Sequence, residues 1–336
     1  MVQHSTPSRP PNRTAGAAPP GEEGGLRRTP PAIFPPILGF FGLGLGWRAA
    51  GDGAGVVAAL GEVLLGAGAL LYLVALAAWL AKPLRRPGVV LDEISVLPGR
   101  AGLAAMTLSG LLLGAALVPY APRLAFGLSL VAFAAHVGLA ALVIRLILTG
   151  PDEVRVLTPI WHLLFVGFIM APLTWTPLGM EAASRMVVFV TLPVACAIWT
   201  VSLVQIATRI PPAPLRPLLA IHVAPASLLS VAAAELGMVD LASLLLGLAA
   251  ILAVSLLAAG RWLTEAGFSP LWGAFTFPSA AFAGGLWALT EAGLPLRFAA
   301  AVVLTAATVG VPFILVRILK SWASGDLARR TNAARA

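Results

Sequence analysis

Residues 101–122 read AGLAAMTLSGLLLGAALVPYAP, and residues 124–144 read LAFGLSLVAFAAHVGLAALVI. Neither stretch contains Asp, Glu, Lys or Arg, and only Arg123 separates them. Each is long enough to cross a bilayer as a helix, which takes about 20 apolar residues. Both are too long for the strands of a transmembrane barrel, which run about 10 residues and alternate in polarity. The pair therefore predicts a hairpin of two transmembrane helices.

Charge-free stretches of this kind recur along most of the chain. Only 11% of the 336 residues are charged, against about 25% in soluble domains. Backbone polar groups in lipid must be paired internally, which restricts the fold to helices or closed barrels. The sequence therefore predicts an all-α membrane protein with ten transmembrane helices and no separate soluble domain. The ten stretches are 29–47, 63–81, 101–122, 124–144, 156–180, 186–208, 217–234, 241–260, 266–290 and 298–316.

The formal net charge of +8 is distributed unevenly across this topology. With the N-terminus in the cytoplasm, 18 of the 22 Lys and Arg residues fall on the cytoplasmic side, as the positive-inside rule requires. Basic charge beside a bilayer also attracts anionic headgroups, so it gives no reason to expect nucleic-acid binding. We expect a multi-pass protein of a bacterial-type inner membrane, with the lipid bilayer as a partner and both termini cytoplasmic.

Three segments are predicted along the chain. Residues 1–28 are rich in Pro, Gly, Ser and Arg and lack an apolar run, which is typical of a disordered cytoplasmic tail rather than a signal peptide. Residues 29–320 form the ten-helix transmembrane domain. Residues 321–336 form a basic cytoplasmic C-terminal tail.

A repeat of about sixty residues relates two of the odd-numbered helices. DEISVL at residues 92–97 precedes the third helix, and DEVRVL at residues 152–157 precedes the fifth. The seventh and ninth helices contain prolines at matching positions, Pro225 and Pro278, although proline is abundant in this chain and could recur there by chance. Repetition predicts five helical hairpins. Interior prolines free a carbonyl and bend the helix, and such breaks occur beside protein or a watery cavity, which favours odd helices on the inside.

Few polar residues within the ten stretches are candidates for chemistry. No stretch has a charged residue at its centre, where coupled carriers usually keep one, so a passive route is favoured. His162 and His222 lie in the cytoplasmic third of odd helices and could line an inner vestibule, or each could hydrogen-bond a neighbouring helix. No catalytic constellation or Cys/His cluster is present in the sequence. We expect no enzyme, no metal site and no cofactor.

The ninth stretch contains WGAFTFP at residues 272–278. Phe275 and Phe277 flank Thr276 directly before Pro278. Two residues correspond to about 200° around a helix, so only one ring can face a central pore. A ring in that position would form a hydrophobic constriction, and ordinary core packing is the alternative.

The same motif, together with FPPILG at residues 34–39 running into GLGLGWRAA at residues 42–50, resembles the tellurite-resistance/dicarboxylate transporter family. That family also includes the plant slow-type anion channels and the fungal malate and sulfite permeases. The resemblance spans about residues 30–320. It implies five hairpins around a central pore, with odd helices inside, and a homotrimer of separately conducting subunits.

The resemblance also implies a function. It implies passive passage of small inorganic or organic anions through the pore, gated by Phe277. Pro225 and Pro278 would kink the lining helices, and the Thr276 hydroxyl is a candidate donor to the anion. The alternatives are a carrier, proton-coupled or not, for C4-dicarboxylate, sulfite or tellurium oxyanions, and a non-transporting scaffold or sensor. The charge-free interior identifies no particular anion.

Overall fold

The computed structural model describes residues 29–51 and 55–334. The predicted tail at residues 1–28 lies outside the described residues. Within the described ranges the chain is nearly all helical and contains no strand, which confirms the all-α prediction. The α-helices are α1 (Phe34–Ala50), α2 (Gly55–Arg85), α3 (Val89–Ser95), α4 (Leu97–Leu117), α5 (Pro122–Thr149), α6 (Asp152–Arg155), α7 (Pro172–Trp175), α8 (Glu181–Thr208), α9 (Val223–Glu235), α10 (Val239–Ala258), α11 (Gly260–Leu263), α12 (Gly273–Glu291), α13 (Arg297–Ala323) and α14 (Asp326–Arg330).

Several buried helices are extended or interrupted by other helical geometry. Segments of 3-10 helix at Pro31–Ile33, Ala213–His222 and Pro270–Trp272 lead into α1, α9 and α12 respectively. A π-helical turn at His162–Val166 and a 3-10 turn at Gly167–Met170 precede α7. The fifth predicted stretch is therefore a broken helix rather than a continuous one.

Eight helices among the described residues are long and apolar enough to cross a membrane. They coincide with eight of the ten predicted stretches. The other two stretches contain the broken helix His162–Trp175 and the 19-residue helix α12, which has Pro278 inside it. A multi-pass arrangement follows, while the count of ten crossings and the five-hairpin repeat stay predictions.

The spanning helices fall into a buried and an exposed class. In the spans Pro31–Ala50, α4 and Ala213–Glu235, 72–94% of the residues in the apolar window are buried. The corresponding share is 22–33% in α2, α5, α8, α10 and α13. These five helices expose large apolar side chains such as Leu244, Val254 and Leu257, a surface that water would not tolerate and that lipid covers. The buried class occupies odd positions of the predicted order, and the exposed class occupies even positions.

α1 and α12 pack closely against each other among the buried helices. A Cβ atom placed on Gly39 of α1 would overlap the Thr276 side chain and lie 2.7 Å from the Thr276 carbonyl carbon. Because part of this overlap is with backbone, a change of rotamer at Thr276 does not relieve it. Only glycine allows the two helices to pack at this distance.

We expect Gly39→Ala to lower the free energy of unfolding by about 1–3 kcal/mol, as overpacking of a tight core does. The measurement is the unfolding midpoint of the purified protein in detergent. Gly66→Ala is the matched control, because Gly66 of α2 is exposed and a Cβ there meets no atom within 4 Å. If the two variants unfold alike, the packing argument for Gly39 is wrong.

Polar contacts tie the helices at both ends of the bundle. We call the end at which α1, α4 and α12 begin the proximal end, and the opposite end the distal end. At the proximal end, Lys82 and Glu93 form a fully buried ion pair, and Lys82 Nζ donates to the carbonyl of Thr29 at 3.2 Å. The indole of Trp322, near the end of α13, donates to the Thr29 hydroxyl at 3.3 Å. The following helix α14 is packed on the bundle through Leu327, which is fully buried.

At the distal end, Arg48 of α1 links two other helices. Its guanidinium donates to both carboxylate oxygens of Glu62 on α2, at 2.6 and 2.8 Å. It also donates to the carbonyls of Ala115 and Ala116, at 3.3 and 2.9 Å. These carbonyls lie in the last turn of α4, where the usual donors four residues on are missing, and that of Ala115 also accepts from the N–H of Val118 at 3.4 Å. Arg48 therefore fixes α1 against α2 and caps α4.

Candidate functional site

Two cavities lie among the buried helices, one toward each end. The proximal cavity, of about 60 Å³, is lined by residues near the starts of α1, α4 and α12, including Pro35, Pro98 and Gly273. The distal cavity, of about 580 Å³, is lined by residues near the ends of the same helices, including Arg48 and Glu291. The buried helices therefore enclose two cavities, one toward each end of the bundle, with side chains between them.

Two side chains line both cavities, Phe277 of α12 and Leu228 of α9. Both are buried, with 7% and 6% of their surface exposed. A Cβ on Gly42 of α1 would lie 3.1 Å from Cε2 and 3.2 Å from Cδ2 of Phe277, so the ring packs directly against the backbone of α1. The Phe277 ring and the Leu228 side chain thus separate the two cavities.

Phe275, the other ring of the motif, lies elsewhere. It lines neither cavity and is half-buried. Its ring meets the Trp272 ring edge-on, with centroids 5.7 Å apart. Of the two phenylalanines, Phe277 is therefore the one whose ring faces the interior space.

The two prolines both line the proximal cavity, in different settings. Pro278 lies inside α12, as the sequence predicts. Pro225 lies in the first turn of α9, immediately after the 3-10 segment Ala213–His222. This span therefore changes from 3-10 to α geometry just before Pro225.

Thr276 lies at the interface of α1 and α12 and lines neither cavity. It is fully buried. Its hydroxyl donates to the carbonyl of Gly273 at 2.7 Å and approaches that of Pro35 at 3.2 Å. The hydroxyl that the sequence suggested as a donor to an anion is thus engaged within the protein, where it joins α12 to the start of α1.

The structure brings His162 and His222 together although 60 residues separate them in sequence. Nε2 of His162 lies 3.0 Å from Nδ1 of His222, and the rings are nearly perpendicular. Both side chains are almost completely buried, and His162 lines the proximal cavity. The carbonyl of His222 accepts from the indole of Trp199 at 3.2 Å. The sequence left two interpretations open, a hydrogen bond to a neighbouring helix and a lining of an inner vestibule. The pair has features of both, since it joins two helical segments and His162 also lines a cavity.

The two cavities differ in their charged and polar groups. Among the described residues, His162 is the only polar one that lines the proximal cavity. The distal cavity is lined by Arg48, which is paired with Glu62, and by Glu235 and Glu291. These two carboxylates stand at the C-terminal ends of α9 and α12, where the helix dipole disfavours negative charge. An acidic residue at a helix C-terminus is recognisable from the sequence, so these two positions were available as candidates for the cavity lining.

Among residues 29–51 and 55–334, no group of three or more His, Cys, Asp or Glu side chains is placed to hold a metal ion.

A family model described as voltage-dependent anion channel matches residues 28–319. No curated protein matches the chain. The matched range covers every residue that lines either cavity, as well as the ring that separates them.

Proposed function

The chain belongs to the voltage-dependent anion channel family, and from this premise we propose that it is a passive route for small anions that the Phe277 ring closes. Membership confirms the resemblance based on residues 34–50 and 272–278, and it implies anion transport across a membrane rather than an enzymatic reaction. The gate and the passive mechanism are our own proposals.

The observation that carries the gate proposal is the position of Phe277 between the two cavities. An anion that crosses from one cavity to the other has to pass the plane of the Phe277 ring and the Leu228 side chain. Apolar constrictions of this kind block ions sterically and by dewetting. Comparison of anion flux through reconstituted wild-type protein and Phe277→Ala tests the proposal.

None of the described Lys and Arg residues lines the proximal cavity. Support for anion preference there comes instead from the orientation of two helices. The N-terminal ends of α4 and α12 contribute Pro98, Ala101, Gly273 and Ala274 to its wall. The positive end of a helix dipole lies at the N-terminus and attracts anions.

We also propose the assembly and location that the sequence suggested. Three copies form a homotrimer in a bacterial-type inner membrane, each copy with its own route and with both termini in the cytoplasm. The support is the family resemblance for the trimer and the distribution of Lys and Arg for the orientation. Mass measurement of the detergent-solubilised complex tests the trimer.

A carrier for C4-dicarboxylate, sulfite or tellurium oxyanions is the second candidate. The observation that favours it is the His162–His222 pair at the proximal cavity, because an imidazole can accept and release a proton and coupled carriers need such a group. A carrier gives uptake that saturates with substrate concentration, whereas a channel gives flux that rises linearly with it.

A further inference from the structure

His162 and His222 lie where the buried part of the bundle departs from α-helical geometry. His162 is the first residue of the π-helical turn His162–Val166, and His222 is the last residue of the 3-10 segment Ala213–His222. Irregular backbone at membrane depth occurs where protein or a cavity satisfies the freed groups, and π-helical turns are frequent at functional sites. Two broken helices thus hold the pair beside the proximal cavity.

The hydrogen bond between the rings leaves each with one unused nitrogen. Nδ1 of His162 and Nε2 of His222 are buried and have no hydrogen-bond partner among the described residues. A neutral imidazole has one N–H and one lone pair. Whichever ring donates to the other, the neutral pair therefore keeps one unused N–H and one unused lone pair.

A proton added to the pair binds at that lone pair. The pair then carries one positive charge and two unused N–H donors, beside a cavity whose other described lining residues are all apolar. A buried charge without a partner is strongly unfavourable. A small monovalent anion in the proximal cavity would supply the opposite charge and accept a hydrogen bond, so proton and anion stabilise each other.

We propose that the His162–His222 pair is a binding site for a monovalent anion, and that the pair takes up one proton together with the anion. The inference rests on the proposed function, because the cavity beside the pair is one of the two that Phe277 separates. It deepens that function by assigning the cation that the proximal cavity otherwise lacks.

No other charged group in the described part of the chain takes part in this pairing. There, the two rings bond to each other, and no Asp, Glu, Lys or Arg side chain forms a hydrogen bond or a salt bridge with either of them. The nearest basic residue on the same segment, Arg216, is paired with Glu265. The other ionisable side chains on the helical elements packed against the pair are Arg100, Arg123, His136, Arg145, Glu181, Arg185, Cys196, Glu235, Asp240, Arg261 and Glu291.

The first test measures nitrate flux through Phe277→Ala protein in liposomes at pH 5 and at pH 8, with equal pH on both sides. We expect about tenfold larger flux at pH 5, a typical size for coupling between two binding events. His162→Gln in the same background keeps a hydrogen-bonding group that does not titrate, and it should make the flux nearly independent of pH. His136→Gln is the matched control, because His136 is a buried histidine bonded to Thr107 that lines neither cavity, and it should keep the pH dependence.

The second test is independent of flux and of the gate. Nitrate is added to weakly buffered wild-type protein in detergent near pH 6, and proton uptake is followed with a pH indicator. We expect net uptake by the wild type and by His136→Gln, and none by His162→Gln or His222→Asn variants that elute as folded protein.

The two tests separate failure of this inference from failure of the proposed function. Equal flux at both pH values through a conducting Phe277→Ala protein, or no proton uptake by the wild type, overturns the histidine site while the channel stands. Proton uptake that needs His162, without nitrate flux through Phe277→Ala at either pH, supports the site and overturns the channel.

Discussion

Replacing Phe277 with alanine should raise the anion conductance of the reconstituted protein by roughly 100-fold, which corresponds to a barrier lower by about 3 kcal/mol. The ring lies between the two cavities and packs on the backbone of α1 at Gly42. Its removal joins the cavities and lets an anion keep part of its hydration through the narrow region. Single-channel recording or nitrate flux into liposomes measures the effect.

Two further variants make this test specific. Phe275→Ala removes an identical ring from the same helix, but that ring lines neither cavity, so conductance should stay at the wild-type level. Leu228→Ala removes the other side chain that borders both cavities and should give a smaller increase. The gate assignment fails if Phe277→Ala protein that is folded and inserted conducts no more than Phe275→Ala.

Replacing Lys82 with methionine should lower the free energy of unfolding by about 3–5 kcal/mol, because loss of one partner leaves the other as an unpaired buried charge. Lys82 and Glu93 are 0% and 1% exposed. The ion pair joins α2 to α3, and Lys82 also donates to the carbonyl of Thr29 before α1. Reversible unfolding in detergent, or the thermal midpoint, measures the loss.

The double variant Lys82→Met with Glu93→Leu is the control for that prediction. Apolar side chains of similar volume often replace a buried ion pair without loss of stability, so the double variant should recover most of what Lys82→Met loses. A double variant less stable than Lys82→Met alone would contradict the argument.

Acidification should also recover part of the stability that Lys82→Met loses. Burial raises the pKa of the Glu93 carboxyl, and loss of Lys82 raises it further. A carboxyl with a raised pKa binds its proton more tightly in the folded chain than in the unfolded chain, so the folded state gains stability as pH falls through the folded-state pKa. An unfolding midpoint of Lys82→Met that is the same at neutral and at acidic pH would contradict this.

The sequence predicted the membrane-spanning helices well, because a run of about 20 apolar residues without charge is typical of a bilayer span and rare in soluble domains. It did not predict that the fifth stretch is broken at residues 162–170. Local composition there is as apolar as elsewhere, and π and 3-10 turns result from packing against neighbouring helices rather than from a residue pattern.

The candidate site was predicted only in part, for a similar reason. The period of the helix limited the interior ring to one of Phe275 and Phe277, but the choice depends on how α12 is rotated against α1 and α9. Contact between His162 and His222 depends on two broken helices meeting, and the sequence alone could not supply that distance. The Thr276 hydroxyl lies within the protein because α1 and α12 approach closely at Gly39, and this approach is likewise a property of the packed structure.

The unequal size of the two cavities has an electrical consequence. A distal cavity of about 580 Å³ bordered by Arg48 and two carboxylates is large and polar enough to hold water. In the proposed channel, this water would extend the conducting solution into the protein, and the transmembrane potential would fall mainly across the Phe277 ring and the smaller proximal cavity. Each 100 mV supplies about 2.3 kcal/mol per unit charge, and in such a channel most of that energy would act on an anion over the short distance past the ring.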